Sequence, residues 1–103
     1  MRVDWTPVAH NDLVNLFQYL AERNFQAAVD HEERILVAST QLHDRPNLGH
    51  PGDWRDTREL IVTGTPYRVV YRVRAPVIEL LRIIHGARQW PPEQATGNDL
   101  AEQ

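Results

Sequence analysis

Residues 57–91, TRELIVTGTPYRVVYRVRAPVIELLRIIHGARQWP, decide the fold. Three runs rich in Val, Ile, Leu and Tyr lie there, parted by Gly64-Thr65-Pro66 and by Ala75-Pro76. β-Branched and aromatic residues between tight turn signals read as consecutive antiparallel strands. The spacing predicts strands over Asp56–Thr63, Tyr67–Arg74 and Val77–His85. Such a meander has one face that must be covered, and the upstream chain reads as the cover.

Side chains alternate across a strand, so turns centred on Gly64-Thr65 and Ala75-Pro76 assign each residue to a face. One face carries Leu60, Val62, Tyr67, Val69, Tyr71, Val73, Ile78, Leu80 and Ile84, with Arg82 as an anomaly on an apolar surface. Arg82 either snorkels past a helix end or pairs with Glu32 or Glu33. The other face carries Glu59, Ile61, Arg68, Val70, Arg72, Arg74, Glu79, Leu81, Ile83 and His85. That mixture suits a half-solvated surface or a binding groove. A one-residue slip in register would exchange the two faces.

Upstream, Met1–Trp5 alternates Val3 and Trp5 with Arg2 and Asp4, a short strand that needs the meander as its partner. Thr6-Pro7 is a helix start, with a hydroxyl cap before proline at the first helical position. Val8, Leu13, Leu16, Phe17 and Leu20 then recur at helical spacing, to an end near Arg23. Asn24 caps a second helix over Phe25 to His43. The short connection makes the two helices an antiparallel hairpin, with both apolar stripes on one sheet face. Two prolines and two glycines make Asp44 to Arg55 a loop. The expected architecture is therefore α+β, in the order β-α-α-β-β-β. Residues 1–91 form the domain and 92–103 a polar, frayed tail.

Composition narrows the function. At 103 residues the chain holds one core. It has no cysteine, no apolar run long enough to span a membrane and no signal-peptide pattern, so a cytoplasmic location is expected. All 11 basic residues are arginine, and residues 1–90 balance them with 11 acids. A neutral body offers no basic excess for gripping nucleic acid.

Catalytic signatures are sparse. His31-Glu32 opens a zincin-like pattern, but the second histidine position is Ile35. His10, His43, His50 and His85 show no paired ligand spacing, so neither metal nor cofactor is expected. The single serine, Ser39, falls inside a helix, and no glycine-rich phosphate loop occurs. What remains is the polar sheet face. Arg72 and Glu79 should stand opposite each other, while Arg68 and Arg72 line a groove fit for acidic or phosphate groups. His85 sits at the rim. Trp90 either pins the chain end or anchors a partner.

TRELIVTGTPYRVVYRV followed by IELLRIIHGARQWP resembles the RelE/ParE superfamily of bacterial type II toxin–antitoxin toxins, over roughly residues 1–91. TRELIV, YRVVYRV and HGARQWP look like its ParE branch, often labelled plasmid stabilisation proteins. The resemblance implies a small twisted antiparallel sheet with two helices on one face. It also implies a toxin held by a cognate antitoxin in a hetero-oligomer. ParE-like members poison DNA gyrase and are not enzymes; RelE-like members cut mRNA on the ribosome. Arg68 matches a catalytic arginine of the second group, and His85 lies near a catalytic histidine of some of its members. This chain lacks the tyrosine that several nucleases carry near the C-terminus, which favours gyrase. Arg88 and Trp90, in HGARQWP, are the expected target contacts.

The antitoxin is expected to be an acidic amphipathic segment, disordered alone, that lies on the uncovered sheet face. Arg68, Arg72 and Arg74 would meet its carboxylates, and Ile61, Leu81 and Ile83, beside Val70, its apolar residues. It would extend over the helical hairpin or add a strand to a sheet edge. Glutamate at Arg68 or Arg72 is expected to weaken that contact and spare the fold.

Overall fold

The computed structural model describes residues 1–86. In chain order these form β1 (Arg2–Trp5), α1 (Pro7–Ala21), α2 (Phe25–Gln41), β2 (His50–Pro51), β3 (Thr57–Ile61), β4 (Tyr67–Arg74) and β5 (Val77–His85). The five strands make one sheet, ordered β1-β5-β4-β3-β2. β1 runs parallel to β5, and the other pairs are antiparallel. The two helices pack on one face, so the architecture is the α+β arrangement expected from the sequence. Three differences are small: α2 stops at Gln41, the loop before β3 holds the two-residue strand β2, and β3 spans Thr57–Ile61 rather than Asp56–Thr63. Arg88, Trp90 and the polar tail lie outside the described residues.

Local chemistry sets the helix starts. Thr6 Oγ1 accepts the Ala9 N–H at 3.2 Å with Pro7 in the first turn, and Asn24 Oδ1 accepts the Ala27 N–H at 3.1 Å. Three residues, 22–24, join the helices and force them antiparallel. Their apolar stripes supply Ala9, Leu13, Leu16 and Ile35 to a core completed by Val69, Tyr71, Ile78 and Leu80. Tyr71 is buried as an anchor for the loop after α2. Its hydroxyl accepts the Gly49 N–H at 2.9 Å and donates to the Pro46 carbonyl at 2.8 Å. A side chain at Gly49 would sit 2.7 Å from the Glu59 carbonyl oxygen, so the loop passes there only as glycine.

The face assignment holds as far as Leu80 and then reverses. Tyr71 opposes Leu80, but Val70 opposes Arg82, which leaves Leu81 as an extra residue in β5. This β-bulge turns the rest of the strand over. Ile83, expected on the open face, joins the core beneath the helices; Ile84, expected in the core, packs with Val70 and Leu81 on the opposite face. His85 follows to the helix side, opposite Tyr67.

The bulge is held from outside the sheet. β1 ends at Trp5, so the outer edge of β5 loses its strand partner after Leu80. α1 replaces it. The Thr6 hydroxyl donates to the Leu80 carbonyl at 2.8 Å, and Asp12 Oδ2 accepts the Ile83 N–H at 3.0 Å. Arg82 closes the arrangement, donating from Nε to Asp12 Oδ2 at 2.7 Å and from Nη2 to Oδ1 at 3.2 Å. The expected pairing of Arg82 with Glu32 or Glu33 is therefore corrected. Those residues lie on α2, whereas the helix beside Arg82 is α1. Among the described residues, no helix is long and apolar enough to cross a membrane.

Asp12→Ala should remove both the amide acceptor and the partner of a largely buried guanidinium, at a cost of about 2–3 kcal/mol. Urea unfolding reads this directly. Asp12→Asn, which keeps an acceptor for Ile83, should lose less, and a loss below about 0.5 kcal/mol for Asp12→Ala would mean that the bulge stands without this cap.

Candidate functional site

The sheet face away from the helices is built from three cross-strand rows. Thr57, Arg72 and Glu79 form the first; Glu59, Val70 and Arg82 the second; Ile61, Arg68 and Ile84 the third. In the first row Arg72 and Glu79 stand opposite each other, as their spacing implies, with Nε 3.5 Å from Oε1. Arg74 reaches the same oxygen at 3.7 Å and is the exposed member of the trio. Between rows, Arg68 Nε lies 2.9 Å from Glu59 Oε1, and Arg68 Nη1 donates to the Gly86 carbonyl at 3.0 Å. Glu59 is buried and the Arg68 side chain is only 14% exposed. This pair is a filled socket in the sheet.

The apolar part of the face is filled as well. Val70, Leu81 and Ile84 form their own buried cluster, with Trp54 of the preceding loop packed against it. The Arg55 guanidinium sits 5.2 Å from the Trp54 ring centre. Leu81 is 7% exposed, and Ile83 at 5% lies on the other side of the sheet, so neither forms the open patch expected from the sequence. Ile61 is the exception at 65%. Of the residues assigned to the antitoxin contact, only Ile61 and Arg74 present open surface. Glutamate at Arg68 would set a second carboxylate against buried Glu59.

His85 lies opposite Tyr67, on the helix side of the sheet. Its ring packs edge-on against Tyr67 at 5.7 Å between centroids, and His31 of α2 does the same at 6.2 Å. His31 donates from Nδ1 to the Ala27 carbonyl at 2.8 Å, which fixes its orientation. The Tyr67 phenol is pushed above its ordinary pKa, first by burial and second by nearby Tyr19. Sequence reading missed this cluster, because alternation without the bulge sends His85 to the opposite face. Among the described residues, no three His, Asp or Glu side chains gather in a way that would hold a metal ion.

A second feature escaped sequence reading. A groove of about 530 Å³ runs between α2 and the outer edge of β3, lined by Glu33, Val37, Ala38, Leu48, Leu60 and Ile61 among others. Val37 is 53% exposed. The available signal was Val37 standing out of phase with the core stripe of α2. Above the groove Gly64 makes the β3–β4 turn with φ +83°, and Arg34 packs where a side chain would be.

Comparison with known proteins gives this geometry a family. Residues 3–90 match the family described as "ParE toxin of type II toxin-antitoxin system, parDE". The curated protein "Putative toxin Y4kP" of Sinorhizobium fredii is 34% identical over 90 residues, which covers 87% of this chain and 93% of that protein. A solved chain from "Chromosomal ParDE TA system from P. aeruginosa" has the same fold, with TM-score 0.77 and 24% identity over 82% of this chain and 95% of that one. A match across nearly the whole folded body, on a two-helix, five-strand frame, decides the assignment: the chain belongs to the ParE toxin family of parDE-type toxin–antitoxin systems.

Proposed function

We propose that this toxin acts by binding DNA gyrase and blocking its supercoiling cycle, without catalysis of its own, and that its cognate antitoxin relieves the block. The observation that carries this reading is the state of Arg68. An arginine that stabilises charge on a scissile phosphate must point its guanidinium at the substrate. Here Arg68 is engaged by Glu59 and the Gly86 carbonyl, and His85 lies across the sheet from it. That placement, on opposite faces of the sheet, supports the gyrase reading over a ribonuclease one. Charge supports the same choice. Residues 1–86 hold ten arginines against eleven acids, a poor match for the phosphate-rich surface of a ribosome. Arg88 and Trp90 fall within the span matched to the family and are proposed to touch the target.

Purified toxin should inhibit gyrase supercoiling and accumulate cleaved DNA, whereas Arg88→Ala and Trp90→Ala variants should lose that effect and retain antitoxin binding. Growth arrest with unimpaired gyrase and with mRNA cut in the ribosomal A site would overturn the reading in favour of a RelE-like ribonuclease.

A structural role for Arg68 makes a separate prediction. Glu59→Ala removes the carboxylate 2.9 Å from the Arg68 guanidinium and should lower stability by about 2–4 kcal/mol in urea unfolding. The double replacement Glu59→Leu with Arg68→Leu should recover at least half of that loss, because two apolar groups need no partner. Equal losses for the single and double variants would contradict the pairing.

A further inference from the structure

We propose that the toxin pairs with a second copy of itself through the outer edge of β1, in one antiparallel register that sets Arg2 of each chain against Asp4 of the other. The occupant is the same chain because this edge carries its own charge complement.

The main chain comes first. β1 ends the sheet on its side, and among the described residues nothing pairs with its outer edge. The N–H groups of Arg2 and Thr6 point inward, to the Pro76 carbonyl at 3.2 Å and the Leu80 carbonyl at 3.1 Å. Main-chain direction alternates along a strand, so the N–H and C=O groups of Val3 and Trp5 face outward. The start of the strand is tied down as well. His43, just past α2, donates from Nδ1 to the Met1 carbonyl, and its own carbonyl accepts from the Met1 nitrogen at 2.9 Å. An edge held in this way loses little freedom on pairing.

Symmetry and charge then select the register. A two-fold axis through a sheet edge makes the two strands antiparallel and sets one residue opposite its own copy. An axis at Asp4 places carboxylate on carboxylate, and an axis at Arg2 places guanidinium on guanidinium; like charges directly opposite are destabilising. An axis at Trp5 overlaps the strands too briefly to pair either charge. An axis at Val3 sets Arg2 opposite Asp4 in both directions. Val3 then exchanges both main-chain bonds with its copy, and each Trp5 N–H reaches the Met1 carbonyl of the other chain. Within one chain Arg2 and Asp4 already lie 2.9 Å apart, so pairing joins two local ion pairs into one network.

The helix side of the edge is suited to burial. A groove of about 270 Å³ lies there between β1 and α2, lined by Val3, Trp5, Leu36, Ser39, Thr40 and His43. Leu36 is 41% exposed. The hydroxyls turn back onto their own helix: Ser39 donates to the Ile35 carbonyl and Thr40 to the Leu36 carbonyl, each at 2.8 Å. Covering them therefore strands no hydroxyl donor. The axis at Val3 brings the two grooves side by side, with Val3 and its copy between them.

The test is sedimentation of the purified full chain, free of antitoxin. It should show a monomer–dimer equilibrium with Kd on the order of 10–100 μM, as a small interface gives. Arg2→Asp and Asp4→Arg should each weaken self-association about tenfold or more, because like charges then face each other on both sides of the axis. An equimolar mixture of the two variants should dimerise as the parent does, since one chain then offers two carboxylates and the other two guanidiniums. Both side chains reach solvent, so circular dichroism of the variants should match the parent. Amide exchange at Val3 and Trp5 should slow as concentration rises, with Asp4 slow throughout. A chain that stays monomeric to about 1 mM would overturn the pairing. Parental self-association in both variants would place the contact on another surface, and a mixture that stays monomeric would reject the register. Protection of Val3 and Trp5 only when antitoxin is added would also overturn it, by giving the edge to a different occupant.

Discussion

β5 runs for nine residues beside an edge strand of four. A strand inside a sheet must satisfy main-chain groups along both sides, and an orphaned buried N–H costs about as much as a lost hydrogen bond. The far half of β5 meets this demand with side chains at the start of α1: the hydroxyl of its cap Thr6 at Leu80 and the Asp12 carboxylate at Ile83. The bulge at Leu81 lets the strand bend toward that helix, and its further consequences are geometric. Ile83 enters the core, Ile84 leaves it and His85 moves to Tyr67. The bulge thereby places Arg68 and His85 on opposite faces of the sheet.

The outer sheet face follows a second rule. Charges there are arranged to satisfy one another first. Arg68 answers Glu59, Arg72 and Arg74 share Glu79, and Arg2 answers Asp4 on β1. Arginine suits such positions because its planar fork reaches several oxygens at once and stays charged at any working pH. Half-buried pairs of this kind add little net stability over apolar packing, yet breaking one is costly. Their contribution is to fix which side chains occupy the face. Trp54 covers the Val70 cluster, so the apolar part of the face is itself packed.

Much of the frame was readable because its signals are local. Thr6-Pro7 and Asn24 announce helix starts within three residues of the hydrogen bonds they make, and turn residues punctuate the meander. Alternation correctly placed Val69, Tyr71, Ile78 and Leu80 in the core. It failed after Leu80 because LLRII carries apolar residues at successive positions, so either phase looks plausible and nothing marks an inserted residue. Arg82 was misassigned for a different reason. Its partner Asp12 lies 70 residues away in sequence, on a helix face whose rotation no pattern sets to that accuracy. Glu59 with Arg68 is a diagonal cross-strand pair, one step from the direct pairs that register analysis inspects. The α2–β3 groove was invisible because it depends on how far β2 extends, and a two-residue strand within a loop rich in proline and glycine leaves no periodic trace.

The brevity of β2 has a consequence for the toxin's handling in the cell. A sheet edge is usually blunted by proline, charge or a covering loop, because open main-chain groups recruit strands from other molecules. Pro51 gives that protection beside Arg58, and it stops there. Among the described residues nothing pairs with the edge at Ile61, whose side chain is 65% exposed. An edge of that kind is an aggregation hazard for the free chain, and a partner that covered it would keep the chain dispersed.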